Sequence, residues 1–223
     1  MLSLLIPHVS RAAIKAALRS TRLSGRDKPA AIHKGKYKAP PTTELTDDAK
    51  RYLANRGYDP QVVATTWGLR SMRNRIFVPI IKDGKPVSWT SRATRASDKL
   101  RWFTAKDDDS DQPVKSLVYG TDYVSHTGII VEGPTDAWAV GPGAVAVLGI
   151  AYTPEQIDEL GRIPRKVICF DVSIQAQRRA EALAVELAAY GSDPIMIQLE
   201  TGSDPAEADP EEITDIRQHF LGE

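Results

Sequence analysis

From about residue 128 onward the chain alternates short apolar runs with longer amphipathic ones. The runs at 128–132, 144–149, 166–171 and 194–199 are short, continuous and rich in Val, Ile and Ala. They read as strands buried on both faces of a parallel sheet. Helical patterns fall between them. One spans 134–140, one starts at Thr153-Pro154-Glu155 with a cap, a first-turn proline and an acid, and one runs over 175–190 until Gly191 stops it. The loop 202–205 opens a last, acidic helix. Strands that alternate with helices predict right-handed crossovers and an α/β layer architecture.

Upstream the periods differ. Thr46-Asp47-Asp48 is an N-cap with acids in the first turn, and it opens a helix over 46–56 that Gly57 ends. A second short helix starts after Asp59-Pro60 and closes near Trp67-Gly68. From Asn74 the pattern turns to β. A strand over 75–81, an Asp83-Gly84 turn and a returning strand over 86–92 make a hairpin. Further strands are expected at 101–104 and 116–119, with the polar loop 106–112 between them; its acids read as solvated, with metal binding as the alternative. At the start of the chain, 8–23 is amphipathic: Ala and Val form one stripe, and Arg11, Lys15, Arg19 and Arg22 lie opposite. It reads either as a helix that binds nucleic acid or a partner, or as a surface helix whose charges are solvated. Residues 24–42 have no period and read as a linker. The organisation expected is an arm at 1–45, a mixed α+β subdomain at 46–125 and a Rossmann-like parallel sheet with flanking helices at 126–223.

Composition narrows this picture. With 223 residues, 42% of them hydrophobic, the chain can bury a sizeable core, and no apolar run nears the roughly 20 residues of a membrane span. The start is too short for a signal-peptide core, so no membrane role is expected. The single cysteine, Cys169, falls inside a strand, which fits an inert core residue and a reducing cytoplasm. The four histidines are scattered, so no zinc site is expected. Net charge is zero, yet residues 1–38 carry nine Lys or Arg against Asp27 alone, and residues 200–223 carry eight acids against Arg217. A basic arm on a neutral body points to a polyanion.

Two strands end on acids, Glu132 and Asp171. Asp136 lies one turn beyond Glu132, and Asp204 follows the last strand. In open α/β sheets the ligand crevice forms at the carboxyl ends of the strands. Carboxylates gathered there suit a divalent cation and phosphate chemistry.

These residues resemble a known family. Val131-Glu132-Gly133-Pro134-Thr135-Asp136-Ala137 is similar to the first motif of the Toprim domain. Leu148-Gly149 is similar to the end of that domain's second strand. Phe170-Asp171-Val172-Ser173 sits where the family has Asp-x-Asp, and Gly202-Ser203-Asp204-Pro205 resembles the Gly-x-Asp-Pro loop of primases. Upstream, 75–80 with Gly84, Val87 and Arg92, then 99–102 and 115–120, resemble the amino-terminal half of bacterial and phage primase catalytic cores, and 52–57 resembles the helix that opens it. The resemblance covers about 46–213. It implies metal-dependent nucleotidyl transfer that makes short RNA primers on single-stranded DNA, from ribonucleoside triphosphates, during phage or mobile-element replication in a bacterial cytosol. Glu132, Asp136, Asp171 and Asp204 are the implied catalytic acids. Glu132, Asp171 and Asp204 would hold Mg²⁺ or Mn²⁺, with Ser173 as a weak neutral ligand. Arg75, Arg92, Lys99, Arg101 and Lys115 would track phosphates, joined by Arg11, Lys15 and Arg19 of the arm. Trp89 and Trp102 are expected either in the core or stacked on bases.

The chain departs from the family pattern at Ser173, which replaces the second acid of Asp-x-Asp. It departs again at Ala206, where primases tend to carry another acid. The arm holds no zinc ligands, so a helicase or another replication protein in trans, or the arm itself, would supply template choice. Two other readings stay open: a Toprim protein that has lost catalysis and binds DNA or a replication partner, and a Toprim nuclease.

Overall fold

The computed structural model describes residues 4–5, 33, 35–149, 152–191 and 193–222. The amphipathic segment 8–23, with Arg11, Lys15 and Arg19, lies outside them. Among the described residues, no helix is long and apolar enough to cross a membrane.

Two helices open the first subdomain. In α1 (Asp47–Ala54) the Thr46 hydroxyl accepts from the Ala49 N–H. In α2 (Pro60–Trp67) the Asp59 carboxylate accepts from the N–H groups of Gln61 and Val62 at 2.8 and 3.0 Å, and Gly68 closes the helix with φ +65°. Both caps satisfy N–H groups that a helix start leaves unpaired. The helices pack on an antiparallel sheet of β2 (Arg70–Met72), β3 (Arg75–Lys82), β4 (Lys85–Ala93) and β5 (Trp102–Thr104), paired in that order. Asp83 and Gly84 both have positive φ, as a two-residue hairpin turn requires, and the Asp122 carboxylate accepts both their N–H groups.

The expected strand at 116–119 is not formed. Val114–Ser116 is a 3-10 turn after Pro113, and only Tyr119 pairs, exchanging two backbone hydrogen bonds of 2.9 Å with Ala146 at the edge of the second sheet. The segment therefore crosses between the sheets instead of extending one. Gly120 allows the close approach: a Cβ there would lie 2.6 Å from the Ala144 carbonyl, and φ is +87°.

The second sheet runs β1 (Leu4–Leu5), β9 (Ile195–Ile197), β8 (Arg165–Ile168), β6 (Thr127–Val131), β7 (Ala144–Ala146). The last four are mutually parallel, and β1 pairs antiparallel to β9. Between them run α3 (Pro134–Val140), α4 (Pro154–Gly161) and α5 (Ile174–Ala188), with α6 (Pro210–Leu221) last. Side chains alternate as strand geometry demands. Ile129, Val131, Val167 and Cys169 face one core with α3, α6 and the antiparallel sheet, while Ile130, Ile168 and Phe170 face a second core under α4 and α5. Burial pushes the Cys169 thiol pKa up, which fits an inert core residue. Because the chain winds from β6 to β7 on one side and through β8 to β9 on the other, the switch point lies between β6 and β8.

Candidate active site

Glu132 follows β6, Asp171 lies shortly beyond β8, and Asp204 sits in the loop after β9. Each lies at the carboxyl edge, on either side of the switch point. Asp136 stands in the first turn of α3, where its carboxylate accepts from the Gly133 N–H at 2.9 Å. All four line one cavity of about 330 Å³, together with Thr90 and Thr104 of the antiparallel sheet, Trp102, and Leu148-Gly149. All four predicted catalytic acids are thus brought to one place.

Their electrostatics are those of crowded carboxylates. Asp136 is pushed up to about 8, first by burial and then by Asp204, with smaller contributions from Asp171 and Glu132. Asp171 is pushed up to about 6 by burial, Glu132 and Asp204, against the pull of Arg179. Asp204 is also raised, by burial first and Glu207 next, while Arg56 pulls it down. Its buried Oδ1 has no hydrogen-bond partner.

Glu132 is held differently. Nη2 of Arg179, on α5, donates to both of its carboxylate oxygens, at 2.8 and 2.7 Å. Ser173 is exposed and caps α5, its Oγ accepting from the Ala176 N–H at 3.2 Å. It does not line the cavity.

Hard carboxylate oxygens, one of them buried and unpartnered, fit a divalent cation such as Mg²⁺ or Mn²⁺ in donor chemistry and charge. Among the described residues, however, no three His, Cys, Asp or Glu side chains stand close enough to share an ion. Asp171 and Asp204 fit that role by charge; Glu132 fits it once Arg179 lets go.

A second cavity, of about 460 Å³, adjoins the first. Arg51, Arg56, Arg92, Arg95 and Arg101 line it with Tyr52, Asn55 and Asp48, whose carboxylate lies 3.5 Å from Arg51 and 3.8 Å from Arg95. The two cavities meet where Arg92 of this cleft stacks over Trp102 of the first, 5.2 Å from the ring centroid; Arg92 also donates to the Tyr52 hydroxyl at 2.8 Å. Of the predicted bases, Arg92 and Arg101 line this cleft. Arg75 turns elsewhere, donating to the Ser91 hydroxyl and to the carbonyls of Ser91, Leu100 and Arg101. Lys99 and Lys115 are exposed and line neither cavity. Trp89 is core, its indole N–H bonded to the Lys38 carbonyl, whereas Trp102 is half-buried at the site.

Trp138 braces the acid loop. It is buried against Tyr58 and Trp102, at centroid distances of 6.2 and 6.4 Å, and donates to the buried Tyr119 hydroxyl at 3.0 Å. The Tyr58 hydroxyl donates to the Thr135 carbonyl at 3.0 Å, which pins the Glu132–Asp136 turn to the first subdomain.

Sequence reasoning missed Arg51, Arg56, Arg95 and Arg179. The one signal for Arg179 is its register: it stands three residues after buried Ala176 and four before buried Leu183, beside the apolar stripe of α5.

An antiparallel subdomain packed on a parallel sheet, with carboxylates at the sheet's switch point, defines a two-part α/β fold. That fold is the one of primase catalytic cores. The Aquifex aeolicus primase, in its zinc-binding and RNA polymerase domains, matches over 79% of this chain and 56% of its own, at 19% identity and TM-score 0.66. The DnaG primase catalytic domain bound to ssDNA matches over 94% and 79%, at 16% identity and TM-score 0.63. The primase fragment of the bacteriophage T7 primase-helicase protein matches over 89% and 84%, at 14% identity and TM-score 0.55. The chain thus spans little more than half the length of the Aquifex chain. No protein-family model and no curated protein matches the sequence.

Proposed function

We propose that this protein is a primase-like nucleotidyltransferase, which makes short RNA primers on single-stranded DNA with Mg²⁺ or Mn²⁺. One observation carries the reading: four carboxylates share a cavity whose Trp102 wall stacks against Arg92, a lining residue of a five-arginine cleft. Asp171 and Asp204 would hold the cation, with Glu132 joining on release from Arg179. A cation bound there supplies charge neutralisation where triphosphate and hydroxyl meet. The chain's own groups do the rest. The arginines bind template and triphosphate phosphates by charge-assisted hydrogen bonds. Trp102 offers an aromatic face to a base beside Arg92. Asp136, at about 8, holds a proton at neutral pH and so takes one negative charge out of the cavity. Single-stranded DNA, ribonucleoside triphosphates and a replication protein in trans, such as a helicase, are the partners this reading takes, in a phage or mobile element acting in a bacterial cytosol.

The test is incorporation of labelled ribonucleotides on mixed single-stranded DNA with each metal. Primers are expected from the wild type and not from Asp171→Asn. No product from either the wild type or Ser173→Asp sinks the proposal. A non-catalytic DNA-binding module is the second reading, and the Arg179–Glu132 pair favours it. It predicts DNA binding that weakens with salt and survives Glu132→Ala and Asp171→Ala, with no primer made.

A further inference from the structure

The helix that follows Asp171 carries an arginine back into the acid cavity. Arg179 and Glu132 are 26% and 17% exposed in their side chains, so water screens this pair less than a surface pair. One guanidinium nitrogen bridges both carboxylate oxygens. Such a pair is costly to keep for stability alone, because desolvation offsets much of its attraction. The Arg179 Nε adds to that cost, since it is buried with no hydrogen-bond partner. The carboxylate it holds is the one that ends the central strand at the switch point. Ser173, on the same helix, is turned out to solvent as a cap.

We propose that Arg179 is a built-in counter-cation for Glu132, standing where a divalent ion would otherwise balance that carboxylate and lowering the cavity's affinity for such ions. The inference rests on the reading above that this cavity takes a divalent cation. A cation approaching Glu132 meets a fixed positive charge and a carboxylate with both oxygens engaged. It binds there only by displacing the guanidinium.

Isothermal titration of the full chain with MnCl₂ tests this. Arg179→Met should bind Mn²⁺ at least tenfold more tightly than the wild type, and Arg179→Gln should do the same. Adding Glu132→Gln to Arg179→Met should erase the gain, and Arg179→Lys should stay within about threefold of the wild type. Circular dichroism melts establish that each variant is folded. If the neutral variants bind no more tightly than a wild type whose binding is lost in Asp171→Asn, the cation site stands and the role of Arg179 is overturned. If no variant binds Mn²⁺ at all, the cation site and the counter-cation fall together.

Discussion

Replacing Asp136 with asparagine should make the protein more stable at neutral pH, although it removes one of the four acids of the cavity. Asp136 is only 5% exposed, and its carboxyl is pushed up from the ordinary 3.8 to about 8. A carboxyl whose pKa is higher folded than unfolded binds its proton more tightly in the native state. Its contribution to stability is fully present below 3.8, and it is lost as the pH rises toward 8. A tenfold difference in proton affinity between the two states is worth about 1.4 kcal/mol, so the full window corresponds to roughly 6 kcal/mol and the part lost by pH 7 to about 4 kcal/mol. Local relaxation and water entry reduce such figures, and roughly 2–4 kcal/mol is the expected gain for Asp136→Asn at pH 7.

Asparagine isolates the charge because its amide oxygen can still accept the Gly133 N–H that the carboxylate accepts at 2.9 Å. The assay is urea unfolding, followed by far-UV circular dichroism, from pH 4 to 9. The two proteins should be nearly equal at pH 4, and the gap should widen until about pH 8 and then level off. Titration of Asp171, pushed up to about 6, bends both curves and largely cancels in the difference. Parallel curves, or a variant less stable than the wild type at pH 8, would refute the claim that buried charge at Asp136 opposes folding.

Tyr119→Phe removes only the oxygen that accepts the buried Trp138 N–H, so it should cost about 1–3 kcal/mol in urea unfolding. A Trp138→Phe background should abolish most of that cost. Ser173→Ala should cost about 1 kcal/mol through loss of the α5 cap, whereas Ser173→Asp should unfold like the wild type and raise primer yield. If the two variants prove equally stable, the capping role is wrong. Arg51→Ala and Arg95→Ala should each lower the slope of log affinity for single-stranded DNA against log salt by about 0.7, as the loss of one phosphate contact requires. Arg75→Ala should instead show up mainly as lost stability, since its guanidinium is committed to Ser91 and the 100–101 carbonyls.

The parallel sheet was legible in the sequence because its strands are continuous apolar runs that face a core on both sides, a pattern that only a doubly covered sheet explains. The acids were legible because such strands end at the crevice edge. Helix starts at Thr46, Asp59 and Thr153 carried their own cap chemistry. What failed was long-range. Arg70–Met72 has no apolar run to betray it and becomes a strand by pairing with β3 and, at Ser71, with Thr43. The 116–119 segment has strand composition, but its partner is a single residue of the other sheet. Arg178 and Arg179 are neighbours of one kind in the sequence, and only the rotation of α5 against β8 sends one of them to Glu132.

Ser173 is best understood together with Arg179. A cap does not explain the serine, since aspartate at the same place caps a helix equally well. Charge does. An acid at position 173 or 206 would add negative charge to this crevice; the chain has Ser173 and Ala206 there, and it sets the Arg179 guanidinium on Glu132. Nearby Glu207 does not supply that charge, because it is exposed and accepts from the Ser203 hydroxyl at 2.5 Å. All three residues act in the same direction, toward less negative charge in the crevice. With Nη2 of Arg179 within 2.8 Å of both Glu132 oxygens, part of the positive charge that balances this crevice is supplied by the chain itself.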